Sequence, residues 1–315
     1  MKRKRLLYIL GANLPSEKGY ANQTIQSIHT LAAHYDVGFC FLSRKNTVFH
    51  SKKIKLIPIY TGVFRKLSEF NQFFWFCTFY LIFILKLLSR IKFAEWDIIY
   101  TRDEHFIFVL EYLKRTGWIK NRVYFEVHSF KERFSLLNKI DGVVCLTGRM
   151  KTDLNHLRSV VLSDGISERF LSLFDHGTNP VSTLNICYVG KSLTFGREKG
   201  INNIIKAVSD IDDIEIRIFI VGSSEAQNKY YRELMKKLGV RPEKVKFERF
   251  MPRKKLYEFM NKMHCFVFTP PQDPHFSYYM SPLKVLEYMA TGKPILLSDL
   301  PANRDAIGKG HAIYC

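Results

Sequence analysis

Short apolar runs alternate with segments of helical spacing along most of this 315-residue chain, and that alternation constrains the fold more than any other feature. Strands and helices that take turns build parallel sheets with helices on both faces. In the first half, strand-like runs fall at 6–10, 37–42, 54–59, 98–100, 123–126, 142–146 and 160–162. Residues 21–34 carry Ile25, Ile28, Leu31 and Ala32 at the spacing of one helix face. Near 167–182 the run Asp175-His-Gly-Thr-Asn-Pro180 breaks both periodicities, which marks a linker. The alternation then restarts with strands at 184–189, 214–221, 245–247 and 265–269 and a helix from Ile201. The expected architecture is α/β: two Rossmann-like domains with mainly parallel sheets facing a cleft. The first spans 1–170 and the second 183–315.

Composition agrees with two folded domains, at 47% hydrophobic and 24% charged residues. The six cysteines include no close pair with metal-ligand spacing, and four fall in apolar runs, where a thiol is an inert packing group. This is the cysteine usage of a reducing, cytoplasmic protein. The basic start and apolar run at 6–10 imitate a signal peptide, but polar residues return at Asn13, so a first strand is expected.

The formal charge of +19 asks for an anionic partner. The basic residues are dispersed and match no nucleic-acid module, so nucleic acid is not expected. Arg44, Lys45, Lys52, Lys53, Lys55, Arg65 and Lys66 precede the greasiest segment, residues 73–85, and Lys86, Arg90 and Lys92 follow it. That segment falls short of the ~20 residues that span a bilayer. Two readings stay open for it: a buried helix of the first domain, or a surface helix in peripheral contact with an anionic membrane.

Near the C-terminus, Ser281 and Pro282 precede an apolar run (Leu283, Leu286, Met289) that stops at Gly292, and Pro294 opens an apolar strand. These are the start and stop signals of a short helix. Free N–H groups at Leu283 and Lys284 would bind an anion there. Glu287, one turn on, would accept hydrogen bonds from sugar hydroxyls, so phosphate and ribose fit side by side.

The run SPLKVLEYMATGKPILLSDLPANRDAI resembles the donor-binding signature of group 1 glycosyltransferases (family 4, retaining, GT-B fold). A second block, Cys187-Tyr-Val-Gly-Lys-Ser-Leu-Thr-Phe-Gly-Arg-Glu-Lys-Gly-Ile201, is similar to the family's strand, basic loop and Lys-Gly helix start. Weaker echoes are Gly19-Tyr-Ala-Asn22, Tyr100-Thr-Arg-Asp103, Phe125-Glu-Val-His128 and Ser163-Asp-Gly165. The resemblance implies that Lys191, next to Gly190, and Lys199 neutralise the leaving nucleotide diphosphate, with lysine at 191 where relatives carry arginine. It implies that His128 touches the donor sugar near the reacting carbon. Gly19 and Tyr20 match the loop that approaches that sugar. Ser281, Pro282, Leu283, Lys284 and Glu287 would hold the donor, and Phe250 and Met251 its base. Arg102 and Glu104 are placed on the acceptor side. Many relatives carry a second glutamate where this chain has Tyr279.

The expected activity is retaining transfer from a nucleotide diphosphate sugar to an acceptor hydroxyl, in cell-envelope glycan or glycolipid synthesis. The acceptor is lipid-linked or a glycan, and the location is cytoplasmic, at the inner membrane face. No cofactor is expected. Asp210-Ile-Asp212-Asp213 sits in a helix-to-strand connection, at the wrong edge of the sheet for a ligand, so no metal is expected either. The alternative is a catalytically weak GT-B-like protein acting as a binding or partner subunit. Tyr279 motivates it, as does the end at Cys315, ahead of the family's terminal helical segment.

Overall fold

In the computed structural model, residues 3–14, 19–43, 54–60, 72–166, 168–174, 182–194, 196–211, 215–308 and 310–315 are described. The chain divides into two units, Met1–Leu162 and Ser163–Cys315.

The first unit runs β1 (Arg5–Leu14), α1 (Gly19–Leu31), β2 (Asp36–Ser43), β3 (Ile54–Tyr60), α2 (Gln72–Arg90), β4 (Ile98–Thr101), α3 (Phe106–Arg115), β5 (Arg122–Val127), β6 (Gly142–Cys145), α4 (Gly148–Leu154) and β7 (Ser159–Val161). The strands form one parallel sheet in the order β3-β2-β1-β4-β5-β6-β7. In β1, Leu6 to Leu10 are all at most 5% exposed. A strand buried on both faces has no reason to alternate, which is why these runs read as continuously apolar. Pro58 is tolerated because β3 is an edge strand, where its missing N–H breaks no ladder. Gly11 is required where β1 passes Asp103: a Cβ there would lie 1.9 Å from the carboxylate oxygen.

The greasy segment forms α2. Phe83 and Leu87 are buried, while Leu81, Leu85 and Leu88 are exposed at one-turn spacing, so the helix is part core and part surface. Among the described residues no helix is long and apolar enough to cross a membrane. The basic cluster that precedes it, apart from Lys55, lies outside the described residues.

The second unit runs α5 (Glu168–Leu171), β8 (Leu184–Val189), β9 (Leu193–Thr194), β10 (Arg197–Glu198), α6 (Ile201–Ser209), β11 (Ile216–Val221), α7 (Glu225–Lys237), β12 (Val245–Glu248), α8 (Arg253–Asn261), β13 (Cys265–Phe268), α9 (Leu283–Met289), β14 (Ile295–Leu297), α10 (Pro301–Ile307) and β15 (Ile313–Tyr314). Its parallel sheet has the order β12-β11-β8-β13-β14-β15, and β9 and β10 form a separate antiparallel hairpin. The sequence places a linker at 167–182, whereas Phe170 and Phe174 are buried in this unit's core, with the Phe170 ring 4.7 Å from that of Tyr257. The unit therefore begins at Ser163. A short aromatic segment without periodicity reads as a connection, yet two rings suffice to dock it.

Cys40, Cys145, Cys187 and Cys265 are buried free thiols. Burial pushes Cys40 up to about 12 and Cys145 up to about 11.

Candidate donor site and a saturated polar cluster

In the second sheet the chain leaves β8 toward β11 and β12, then returns to β13 on the other side. The crevice at the carboxyl ends of β8 and β13 is thus a topological switch point, where open α/β sheets bind ligands. Gly190 follows β8 there, with φ 146°. A Cβ on Gly190 would lie 3.9 Å from Lys284 Cε, so the Lys284 side chain passes over this glycine.

Three lysines and a glutamate among the expected residues come together at this edge. Lys199 is held down to about 8 by burial and by the charges of Lys284 and Lys191. A lysine that two other lysines reach is a concentration of positive charge with no ligand to balance it. Lys284 donates to Glu287 Oε2 at 2.7 Å, and the Glu287 side chain is only 15% exposed. Lys191 is exposed, and neither it nor Lys199 has a carboxylate partner among the described residues.

The hairpin and helix that carry Lys199 are shaped by Glu198 and Gly200. Gly200 precedes α6 with φ 87°, and a Cβ there would meet the Thr269 carbonyl oxygen at 1.7 Å. Glu198 accepts from the Gly200 N–H at 2.8 Å and the Ile201 N–H at 2.6 Å. The N-terminus of α6 is therefore already satisfied by a carboxylate. The sequence reading passed over Glu198, although an acid just ahead of a Gly-led helix is a capping signal.

Two expectations about α9 change. The helix turns Val285 and Tyr288, both 0% exposed, toward the core, while Leu283, Leu286 and Met289 are half-buried. Tyr288 decides this: its ring stacks on Phe266 at 4.6 Å and its hydroxyl takes the Val189 N–H at 2.8 Å. The Leu283 N–H is not free, because it donates to the Ser281 carbonyl at 2.9 Å; the Lys284 N–H has no partner among the described residues. Ser281 Oγ accepts from the Asp164 N–H at 3.1 Å, which ties the 163–165 segment to the residues before Pro282.

Phe250 is 63% exposed beyond β12, and Met251 packs against the core. That strand lies two places from β8, about 10 Å at normal strand spacing. Tyr279 ends a π-helical turn, His275–Tyr279. Arg197 pairs with Asp273 ahead of that turn, a contact the sequence reading did not anticipate. Asp212 and Asp213 lie outside the described residues; among those described, no three His, Cys, Asp or Glu side chains are grouped to hold a metal ion.

The first unit has its own polar cluster, at the carboxyl ends of β1, β4 and β5. His128 follows β5, and its Nε2 faces the Glu126 carboxylate. Arg102 Nη2 donates to His128 Nδ1 at 2.8 Å and to Gln23 Oε1 at 3.1 Å, and Nη1 donates to Thr24 Oγ1 at 3.1 Å. An arginine only donates, so Nδ1 accepts and Nε2 carries the hydrogen given to Glu126. Tyr100 completes the set with a hydroxyl on Glu126 Oε2 at 2.7 Å. Burial pushes the Glu126 carboxyl up, but the hydrogen bond from His128, the Arg102 charge and the hydrogen bond from Tyr100 outweigh it and hold the carboxyl below the usual carboxylate range. Both His128 ring nitrogens are engaged within the protein, and no nitrogen is left over for a sugar. Glu104 likewise binds Ser129 and Lys131. Gly19 and Tyr20 form the first turn of α1, and nothing is described of the Tyr20 side chain.

Two parallel α/β sheets in this order define the GT-B class of fold, which solved structures share. WaaB, a lipopolysaccharide outer core galactosyltransferase in its apo form, is 15% identical at TM-score 0.67, over 94% of this chain and 81% of its own. Sucrose-phosphate synthase from Thermosynechococcus elongatus is 15% identical at TM-score 0.71, over 99% of this chain and 86% of its own. Anabaena HepE, in a structure holding UDP and glucose, is 14% identical at TM-score 0.68, over 99% and 85%. Among curated protein sequences none matches the chain. Residues 183–315 match the family described as glycosyl transferases group 1. The family match covers the second unit, and the likeness to the solved structures extends over both units as a shared fold.

Proposed function

We propose that this protein transfers a sugar from a nucleotide diphosphate sugar to an acceptor hydroxyl, with retention of anomeric configuration. The observation that carries the reading is the convergence of Lys191, Lys199 and Lys284 at the switch point beside Gly190, with Glu287 paired to Lys284. A diphosphate would balance the three ammonium groups, and Glu287 would take the ribose hydroxyls. The bond from the anomeric carbon to the diphosphate oxygen breaks, and the acceptor oxygen bonds to that carbon on the same face. The acceptor proton goes to a leaving-phosphate oxygen, and the lysines stabilise the charge left on the diphosphate.

On this reading no metal ion or other cofactor is needed, the transferred unit is a hexose, and the acceptor is a lipid-linked or envelope glycan. The work is done on the cytoplasmic side of a membrane, in peripheral contact with it. Four buried free thiols support a reducing compartment. The neighbours support the donor class, since HepE is seen with UDP and glucose.

A second reading, a binding subunit with weak turnover, is favoured by the engagement of both His128 nitrogens and by Tyr279 in the position of a family glutamate. Calorimetric titration with UDP, GDP and ADP, with and without Mg²⁺, separates the cases when followed by donor screens. Metal-independent binding of one nucleotide, lost in Glu287→Ala and Lys199→Ala, establishes the donor site, and measured transfer establishes the enzyme. A folded protein that binds none of the three refutes the donor-site reading.

A further inference from the structure

The hairpin of β9 and β10, the connection from β13 into α9, and α9 itself carry three acids, and each is already engaged. Glu198 takes the Gly200 and Ile201 N–H groups and the Tyr231 hydroxyl, the last at 3.2 Å. Glu287 takes Lys284. Asp273 takes Arg197 through Oδ2 and the His275 N–H through Oδ1 at 2.9 Å. Lys199 is left with no carboxylate partner among the described residues.

The engagement of Asp273 bears directly on Lys199. In extended chain, side chains two residues apart share a face, with Cα atoms about 7 Å apart. The Lys199 N–H continues the pairing of the hairpin by donating to the Ser192 carbonyl at 2.9 Å, so the chain is still extended there. Glu198 therefore turns to α6 while Arg197 and Lys199 stand side by side, and an acid that meets Arg197 is within reach of the Lys199 stem. His275 lies in the same neighbourhood: burial holds its imidazole down, Asp273 draws it up, and the charges of Arg197 and Lys199 lower it. The Asp273 side chain is only 16% exposed, and a carboxylate so placed takes a cation partner. Two cations are available, and it holds the guanidinium, the more weakly hydrated of the two.

We propose that Arg197 is a positioning residue for the donor site: by occupying Asp273 it keeps that carboxylate from closing on Lys199, and so leaves the Lys199 ammonium for a diphosphate. The inference rests on the donor reading and adds to it a residue that touches no ligand. Without Arg197, Asp273 pairs with Lys199 and competes with the incoming anion. Without Asp273 there is no competitor, and Arg197 has nothing to withhold.

Calorimetry tests it, using whichever of UDP, GDP and ADP binds the parent. Arg197→Gln should weaken that nucleotide about fivefold, the worth of one partly exposed ion pair formed in competition. Asp273→Asn, which can still accept from the His275 N–H, should bind at least as tightly as the parent. Arg197→Gln/Asp273→Asn should regain the affinity lost in Arg197→Gln. Proton uptake on binding, read in two buffers of different ionisation enthalpy, should move to higher pH in Arg197→Gln and return to near 8 in the double variant. Thermal midpoints should match the parent, since Asp273 keeps a cation in the first variant and loses its charge in the others. A pair that only braces the two loops would weaken binding in both single variants. An Arg197 that touches the ligand would give a loss that the double variant does not regain. Either result, or an Arg197→Gln variant that binds like the parent, overturns the inference while the donor site stands. A parent that binds none of the three nucleotides fails the donor reading first, and the inference falls with it.

Discussion

The two polar clusters of this protein are built in opposite ways. Around His128, every strong hydrogen-bonding group has found a partner inside the first unit: Glu126, Arg102 and Tyr100 satisfy one another and the imidazole. Around Gly190, three lysines gather with a single carboxylate among them. The first arrangement is complete without a ligand and holds strand ends and α1 together. The second is incomplete, with its charges left in each other's company. Incompleteness of this kind is what the proposed donor site calls for, because an anionic ligand would balance charges that the fold itself leaves unpaired.

The sharpest way to break the contrast is to remove one member from each cluster. Glu126→Leu should cost about 3 kcal/mol in denaturant unfolding, since it strands a buried tyrosine hydroxyl and the His128 N–H. Lys199→Met should behave in reverse, weakening UDP at least about tenfold by calorimetry while gaining on the order of 1 kcal/mol in stability by relieving like-charge repulsion. If Lys199→Met destabilised the fold as Glu126→Leu does, the lysines would be structural and the contrast would collapse.

Titration sharpens it further. Lys199 sits at about 8 without ligand, and phosphate binds the ammonium form. UDP affinity should therefore be level below pH 8, fall above it by at most about tenfold per unit, and be accompanied by proton uptake near that pH. Lys199→Ala should flatten that profile between pH 7 and 9.5. Glu126 gives the smaller, acid-side effect. Its carboxyl is held below the usual carboxylate range in the fold, so its stabilisation is present above its unfolded value near 4.5 and is lost as pH falls below that value. Acid unfolding of Glu126→Gln should lack that component.

The alternation of strands and helices was legible because parallel strands buried on both faces leave unbroken apolar runs such as 6–10. The placement of Lys191 after β8, Lys199 ahead of α6 and Glu287 within α9 was legible because short signals near strand ends and helix starts carry it. The rest depended on distant partners. His128 meets Arg102 from 26 residues away, and Arg102 meets Thr24 from 78, separations that no local pattern encodes. The inward face of α9 was misjudged for a similar reason: Leu283 and Leu286 fit helical spacing as well as Val285 and Tyr288 do. The contact of Tyr288 with β8, 99 positions earlier, selects between them. The docking of Phe170 and Phe174 is another case of packing overriding a local signal.

On the proposed reading, the Lys284–Glu287 pair makes the donor site its own decoy. Any incoming anion must take Lys284 from Glu287, and an anion alone leaves that carboxylate stranded at 15% exposure. Only a molecule presenting negative charge at one end and hydroxyl groups at the other recompenses both partners as they separate. Inorganic phosphate, however concentrated, offers half of the exchange. If that reading holds, discrimination between a nucleotide and the salts around it would be set by two side chains three residues apart, before any base is read.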